Sequence, residues 1–305
     1  MRILLTGASG LFGANFAQRF SGEHTLIGAV NEQGLARQHF ELVCCDLSQK
    51  SAATRLVEHA RPDVIIHAAA LANLEACEKN PGLALRLNTD LPGELAGVSR
   101  RKGIRLVHIS TDAVFDGERG QYEEGEDAHP LNVYARTKLD GETVVHEENP
   151  AAIIARVNFF GFSPSGQRSL AEHFVFTLAA RKPVLGFTDV YFCPLYVHHL
   201  AETLMEMVER DLHGLYHVVG GDPLSKYEFG MRIARQFGLD EGLIQPVSWR
   251  EGGLVAARSP NLTLVTRKLT TALGHALPAI EEGIRHFKSD YDTGLHLRLQ
   301  QMLHP

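Results

Sequence analysis

The opening run, Met1-Arg-Ile-Leu-Leu5 followed by Thr6-Gly7-Ala8-Ser9-Gly10-Leu11-Phe12-Gly13, constrains this chain more than any other segment. Ile3, Leu4 and Leu5 are consecutive aliphatics without polar alternation, which reads as a strand buried on both faces. Ala14 to Phe20 reads as a helix, so the three glycines fall at a strand-to-helix turn. Glycine there permits a tight turn, lets the backbone approach a pyrophosphate, and lets the helix pack closely on the sheet. The free N–H groups of the helix start point at the same place. A purely structural turn is the alternative reading, and the position at the head of a strand–helix unit favours nucleotide binding.

Strands and helices go on alternating. Thr25 to Val30, Phe40 to Cys45, Asp63 to Ala70, Ile104 to Ile109 and Ala151 to Val157 read as strands, and Gly82 to Lys102 as a helix. This alternation predicts an α/β chain, a Rossmann-type doubly wound parallel sheet with both faces covered. Ligands in such sheets sit at the carboxyl ends of the strands, where Gly7, Asp46, Ala68 and Thr111 fall. Beyond Phe159 the pattern loosens. Helices are expected at 170–181, 198–210, 225–237 and 279–287, and a strand at 215–219. The third helix carries a capping box, Ser225-Lys-Tyr-Glu228, and stops at Gly238. Residues 1–157 are therefore expected to form a dinucleotide-binding domain. Residues 158–305 form a smaller mixed α/β substrate-binding region interleaved with it.

The 305 residues carry a net charge of −6, with 44% apolar and 22% charged side chains, ordinary for a globular protein. That balance argues against nucleic-acid and anionic-membrane partners. Cys44, Cys45, Cys77 and Cys193 show no CxxC spacing and read as reduced thiols. Met1 to Leu5 is too short for a signal peptide or a membrane span, and no later run approaches spanning length. The expectation is a soluble, cytoplasmic protein. Among the 16 histidines there is no HExxH and no Cys/His cluster, and His198-His199 cannot easily face one ion from a regular helix. No metal is expected. Trp249, the sole tryptophan, could stack on a sugar or fill core, and core is expected.

Tyr134 and Lys138 are four residues apart, which on a helix stacks a phenol and an ammonium on one face. At ~4 Å and an effective dielectric of ~20, the cation would favour the phenolate by about 4 kcal/mol. That equals roughly three pKa units, enough to bring the phenol near a working pH. A surface tyrosine beside a solvated lysine is the bland alternative. Asn132 is a candidate N-cap for this helix, and the fifth strand delivers Ser110-Thr111-Asp112 to the same sheet edge. A hydroxyl there could bond a substrate oxygen or simply cap a turn.

Together, Thr6-Gly-xx-Gly10-xx-Gly13, His67-Ala-Ala-Ala70, His108-Ile-Ser-Thr111-Asp112 and Tyr134-xxx-Lys138 resemble the extended short-chain dehydrogenase/reductase family. Ser110-Thr-Asp-Ala-Val-Phe-Asp-Gly117, Pro130-Leu-Asn-Val-Tyr134 and Thr137-Lys-Leu-Asp-Gly-Glu142 are similar to segments of its dTDP-4-dehydrorhamnose reductase group. The resemblance implies that Tyr134 protonates a carbonyl oxygen as hydride arrives. Lys138 would lower its pKa and bind the nicotinamide ribose, and Thr111 would orient the carbonyl. Cofactor contacts would come from Gly7, Ser9, Gly10, Leu11, Phe12 and Gly13 at the pyrophosphate and Asn31, Asp46 and Leu47 at the adenosine end. Ala68, Ala69, Ala70 and Val157, with Tyr134 and Lys138, would lie along the nicotinamide path. Substrate contacts would come from Thr111, Asp112, Ala113, Asn158, Arg258 and Asn261.

Two departures carry information. Related 4,6-dehydratases have a Thr-Asp-Glu run, whereas here Thr111-Asp112-Ala113 lacks the second carboxylate, which favours a reductase. In the substrate-side segment Arg258, Asn261, Leu264 and Lys268 match the group's pattern, but Thr263 replaces an arginine that would grip a diphosphate. Asn31, with Glu32 one step further, stands where NAD-selective sites place an acid, so NADP is expected and NAD is not excluded. The resemblance thus implies an NADP-dependent reductase of a keto group on a sugar or sugar nucleotide, as a homodimer. A sugar-nucleotide epimerase is one alternative. The other is a non-catalytic dinucleotide-binding subunit like the regulatory subunit of methionine adenosyltransferase, which the chain also resembles.

Overall fold

Ile3, Leu4 and Leu5 are fully buried, and the strand that carries them, β1 (Arg2–Thr6), lies inside a seven-stranded sheet. A computed structural model of the chain describes residues 1–31, 39–251 and 259–302. In the first half β1 is followed by β2 (Thr25–Val30), β3 (Glu41–Cys44), β4 (Val64–His67), β5 (Arg105–Thr111) and β6 (Ile153–Val157). The second half supplies β7 (Phe159–Phe160), β8 (Val184–Phe187), β9 (Tyr191–Phe192), β10 (Leu195–Tyr196), β11 (Gly214–Val218), β12 (Leu224–Ser225) and β13 (Ile244–Val247). The large sheet runs β11-β6-β5-β4-β1-β2-β3 with every pair parallel. Strand β11 thus brings part of the second half into the nucleotide-binding sheet. The other second-half strands pair as β7–β10, β9–β12 and β8–β13.

Alternation along the strands divides the core between the two faces. Ile3 and Leu5 join Ile66, Val107 and Val157 beneath α1 (Leu11–Phe20). Leu4 joins Ile65, Leu106 and Ile154 on the opposite face, beneath α2 (Ala52–Ala60). The winding reverses between β1 and β4, which opens a crevice at their carboxyl ends.

The predicted helix 82–102 is broken. In its region lie α3 (Leu74–Lys79), α4 (Pro81–Leu85), a π turn over Arg86–Asp90, and α5 (Leu91–Lys102). Pro92 has no N–H to give the Asn88 carbonyl four residues back, which locally disfavours the regular ladder. The helix α6 (Val133–Glu148) crosses close to this turn: a Cβ on Gly141 would lie 2.2 Å from the Asn88 oxygen. The remaining helices are α7 (Leu170–Ala179), α8 (Val197–Glu209), α9 (Lys226–Phe237), α10 (Arg267–Leu273), α11 (Ile280–Asp292) and α12 (Leu295–Gln301). The capping box expected at Ser225 and Glu228 is present. Among the described residues no helix is long and apolar enough to cross a membrane.

Candidate active site

Gly7 turns out of β1 with φ +71°, and a Cβ there would stand 2.9 Å from the Ala68 carbonyl carbon and the Ala69 nitrogen. Gly13 is equally constrained, since its Cβ would fall 2.2 Å from the Gly7 oxygen. Helix α1 therefore packs on the turn only because both positions lack side chains. Its N-cap is Gly10, with no side-chain cap, so protein side chains leave the first-turn N–H groups bare. A cradle that any Cβ would fill, facing an uncapped helix start, fits a dinucleotide pyrophosphate.

The flanking residues are positioned by backbone contacts. Thr6 Oγ1 accepts from the Ala69 N–H at 3.2 Å and lies 2.7 Å from His67 Nδ1, which ties the end of β1 to the Ala68–Ala70 turn. Asp46 is exposed, and its carboxylate closes its own turn on Ser48 and Gln49. Those bonds, Ser48 first, hold its pKa below the ordinary carboxylate value. Asn31 is exposed at the end of β2, its carbonyl 3.6 Å from Cys44 Sγ. Glu32 and Arg258 lie outside the described residues.

Asn132 caps α6 by accepting from the Ala135 N–H at 2.9 Å. The helix then carries Tyr134 and Lys138 to the end of β5. Lys138 is buried, and its Nζ donates to the Ile109 carbonyl at 2.7 Å with His108 Nε2 at 3.4 Å. Burial lowers its pKa to about 8, against the opposing pull of Glu142. The Tyr134 phenol faces the Thr111 hydroxyl instead. Burial pushes the phenol up to about 12, and the charges of Asp112 and Cys77 add to this against the Thr111 hydroxyl. The expected three-unit depression by Lys138 is therefore absent here. Desolvation outweighs a cation whose hydrogen bond goes to a backbone carbonyl.

Thr111 is also the cap of the turn after β5, accepting from the Ala113 N–H at 3.2 Å and donating to Asp112 Oδ1 at 3.1 Å. Asp112 is buried and takes Asn158 Nδ2 at 2.6 Å; burial raises its pKa to about 6 despite the bonds from Asn158 and Thr111. The substrate candidates Thr111, Asp112, Ala113 and Asn158 thus come together with Tyr134. Val157 is buried one residue before Asn158 and pairs in register with Thr111.

Ala113, Asn132 and Asn158 line a cavity of ≈ 240 Å³, closed by Tyr191, Lys226 and Trp249, among others. Trp249 is half-buried on this wall rather than in the core, with its backbone N–H on Asp189 Oδ1 at 2.8 Å. Asn261 falls elsewhere. Its side chain bonds the Arg119 carbonyl and Thr263, inside the loop that also holds Gly117 and Gly120. Thr263 is buried in the same loop, accepting from the Gln121 N–H at 2.8 Å. Lys268 donates to the Leu215 carbonyl at 2.7 Å.

Two supports escaped the sequence reading. Glu142, one turn beyond Lys138, forms a buried forked pair with Arg156 (2.7 Å at Nη2) and accepts from the Ser110 hydroxyl. Asn88, in the π turn, bonds Leu71 through both its N–H and its carbonyl, and also the Thr137 hydroxyl. A Lys-to-Glu step of four residues on a predicted helix signals the first, but its partner on β6 is set only by strand order. A lone Asn before a proline carries no readable signal for the second.

Fold and site together define a Rossmann-type oxidoreductase scaffold of the Tyr-xxx-Lys kind. The chain belongs to the family described as the RmlD substrate binding domain, whose model matches residues 1–293. It is 30% identical over 304 residues to a probable low-salt glycan biosynthesis reductase of Haloferax volcanii, covering 96% of this chain and 100% of that one. It is also 30% identical to the methionine adenosyltransferase 2 subunit beta of Mus musculus, over 95% of this chain and 89% of that protein. Among solved structures it resembles the dTDP-4-dehydrorhamnose reductase of Bacillus anthracis in complex with NADP. That match has a TM-score of 0.83 and 26% identity, covering 95% of this chain and 99% of the other.

Proposed function

We propose that the protein is an NADPH-dependent reductase of a keto group on a sugar nucleotide, in the manner of dTDP-4-dehydrorhamnose reductase. One observation carries this reading: the Tyr134 phenol faces the Thr111 hydroxyl, and Ala113 and Asn158 beside that pair line a cavity walled by Trp249. Gly7, Gly10, Gly13 and the uncapped start of α1 would hold the pyrophosphate. Ala68, Ala69 and Lys138 would hold the nicotinamide end. Asn31 in place of an acid removes repulsion against a 2′-phosphate, which supports NADP.

The bound dinucleotide supplies the hydride. Tyr134, with its pKa near 12, is protonated at neutral pH and can give its proton to a carbonyl oxygen as charge develops there. Thr111 stands beside the phenol and would orient the carbonyl. The Lys138 ammonium, fixed by the Ile109 carbonyl one helical turn beyond the phenol, would meet the ribose of the dinucleotide. Ala113 offers no second carboxylate for removing water, which favours reduction over dehydration. Tyr191 and Trp249 provide flat apolar surface for the sugar nucleotide.

The similarity to the methionine adenosyltransferase beta subunit along 95% of this chain supports a second reading, a dinucleotide-binding regulatory subunit. The two readings separate by assay of NADPH and NADH oxidation against a panel of nucleotide-sugar ketones. Turnover of one ketone supports the reductase. No oxidation with any of them, together with co-elution with a methionine adenosyltransferase catalytic chain, supports the regulatory subunit.

A further inference from the structure

The adjacent histidines at the start of α8 face different partners. His198 places Nε2 3.1 Å from Asn15 Oδ1 and Nδ1 3.2 Å from the Tyr196 hydroxyl. His199 turns toward α11, where its Nε2 lies 2.8 Å from His286 Nδ1. Glu282 stands four residues before His286 on α11, so the carboxylate and the imidazole share one helix face. One ligand atom from each of His199, Glu282 and His286 lies within 4.8 Å of the others.

We propose that His199, Glu282 and His286 form a binding site for a zinc-class divalent ion that ties α8 to α11, apart from the reductase centre. Two neutral imidazoles and one carboxylate suit zinc, cobalt or nickel, whereas magnesium and calcium take oxygen ligands almost throughout. Tetrahedral zinc with bonds of roughly 2.0–2.2 Å needs donors about 3.3 Å apart. The three atoms, within 4.8 Å of one another, would close to that spacing on binding.

The surroundings agree with this use. His199 is buried, and the ring nitrogen it turns toward His286 is Nε2. His286 is exposed and Glu282 half-buried, which leaves a path for entry and room for water as a fourth ligand. Glu202, further along α8, is held by Arg19 at 2.8 Å and does not complete the set. None of the three residues lines the cavity beside Tyr134.

The test uses tag-free full-length protein stripped with a chelator and titrated with zinc alone, with cobalt absorption as a second readout. One ion per chain is expected, together with a rise in the thermal midpoint. His286→Gln, at an exposed position, should fold as wild type. It should bind zinc roughly tenfold or more weakly, since even changes beyond the ligand shell cost about 10–100-fold. Glu282→Gln should also weaken binding and abolish the midpoint shift. Less than one ion per chain overturns the site, as does unchanged affinity in His286→Gln, the outcome expected if zinc sits on exposed Cys44. Binding without a midpoint shift overturns its role as a tie.

Discussion

Lys138 Nζ lies 2.7 Å from the Ile109 carbonyl oxygen, while Tyr134, four residues earlier on α6, faces the Thr111 hydroxyl. Both side chains thus meet the end of β5, Lys138 anchored there by a backbone carbonyl. A lysine held this way keeps its charge near the reaction at the expense of desolvation.

Lys138→Met follows from that placement. Lys138 titrates near 8 in the folded chain against 10.5 in an unfolded one, so its charge opposes folding at neutral pH and the opposition fades as pH rises through that window. Removing it should leave the thermal midpoint at pH 7 equal to or above wild type, while turnover falls and the KM for the dinucleotide rises. A large drop in midpoint would count against the burial argument.

Asp112 gives a pH signature of stability. Its pKa is raised from 3.8 to about 6, so its contribution is fully present below about 4 and is lost as pH rises through 6. Asp112→Asn should gain on wild type by up to about 3 kcal/mol between pH 4 and pH 8 in urea unfolding. A difference independent of pH would refute the raised value.

The buried Glu142–Arg156 pair, at 4% exposure for Arg156 and bonded also to Ser110, should tolerate little. Glu142→Gln leaves a buried guanidinium without its countercharge and should destabilise by about 3–5 kcal/mol in denaturant unfolding. A loss below about 1 kcal/mol would mean the pair is screened like a surface one.

Trp249→Ala tests the cavity wall. Loss of the ring should raise the KM for the nucleotide sugar by about two- to tenfold, since aromatic contacts are worth roughly 0.5–1.5 kcal/mol, with a smaller change in kcat. Equal KM values in the two proteins would remove Trp249 from the substrate site.

Much of the fold was legible because its signals are local. The buried run Ile3–Leu5, the Gly7–Gly13 turn and the Asn132 cap each act within a few residues. The failures involve distance. The break at Arg86–Asp90 depends on how closely α6 crosses Asn88, and Gly141 reveals that only once the helices are packed. Trp249, read as core in preference to a sugar-stacking ring, lines a wall that segments from both halves assemble. Asn261 matched a substrate motif, yet its amide closes a loop. The Tyr134–Lys138 electrostatics were misjudged because spacing alone says nothing of burial or of a competing carbonyl. His199 found its partners 83 and 87 residues away, on a helix whose facing could not be read from the chain.

The most direct measurement compares NADPH oxidation by wild-type protein and Tyr134→Phe on a nucleotide-sugar 4-ketone, with dinucleotide affinity determined in parallel. The expected result is a fall in turnover of about 10²–10⁴-fold with affinity nearly unchanged, as removal of a general acid demands. Equal turnover in the two proteins would contradict the role assigned to the phenol.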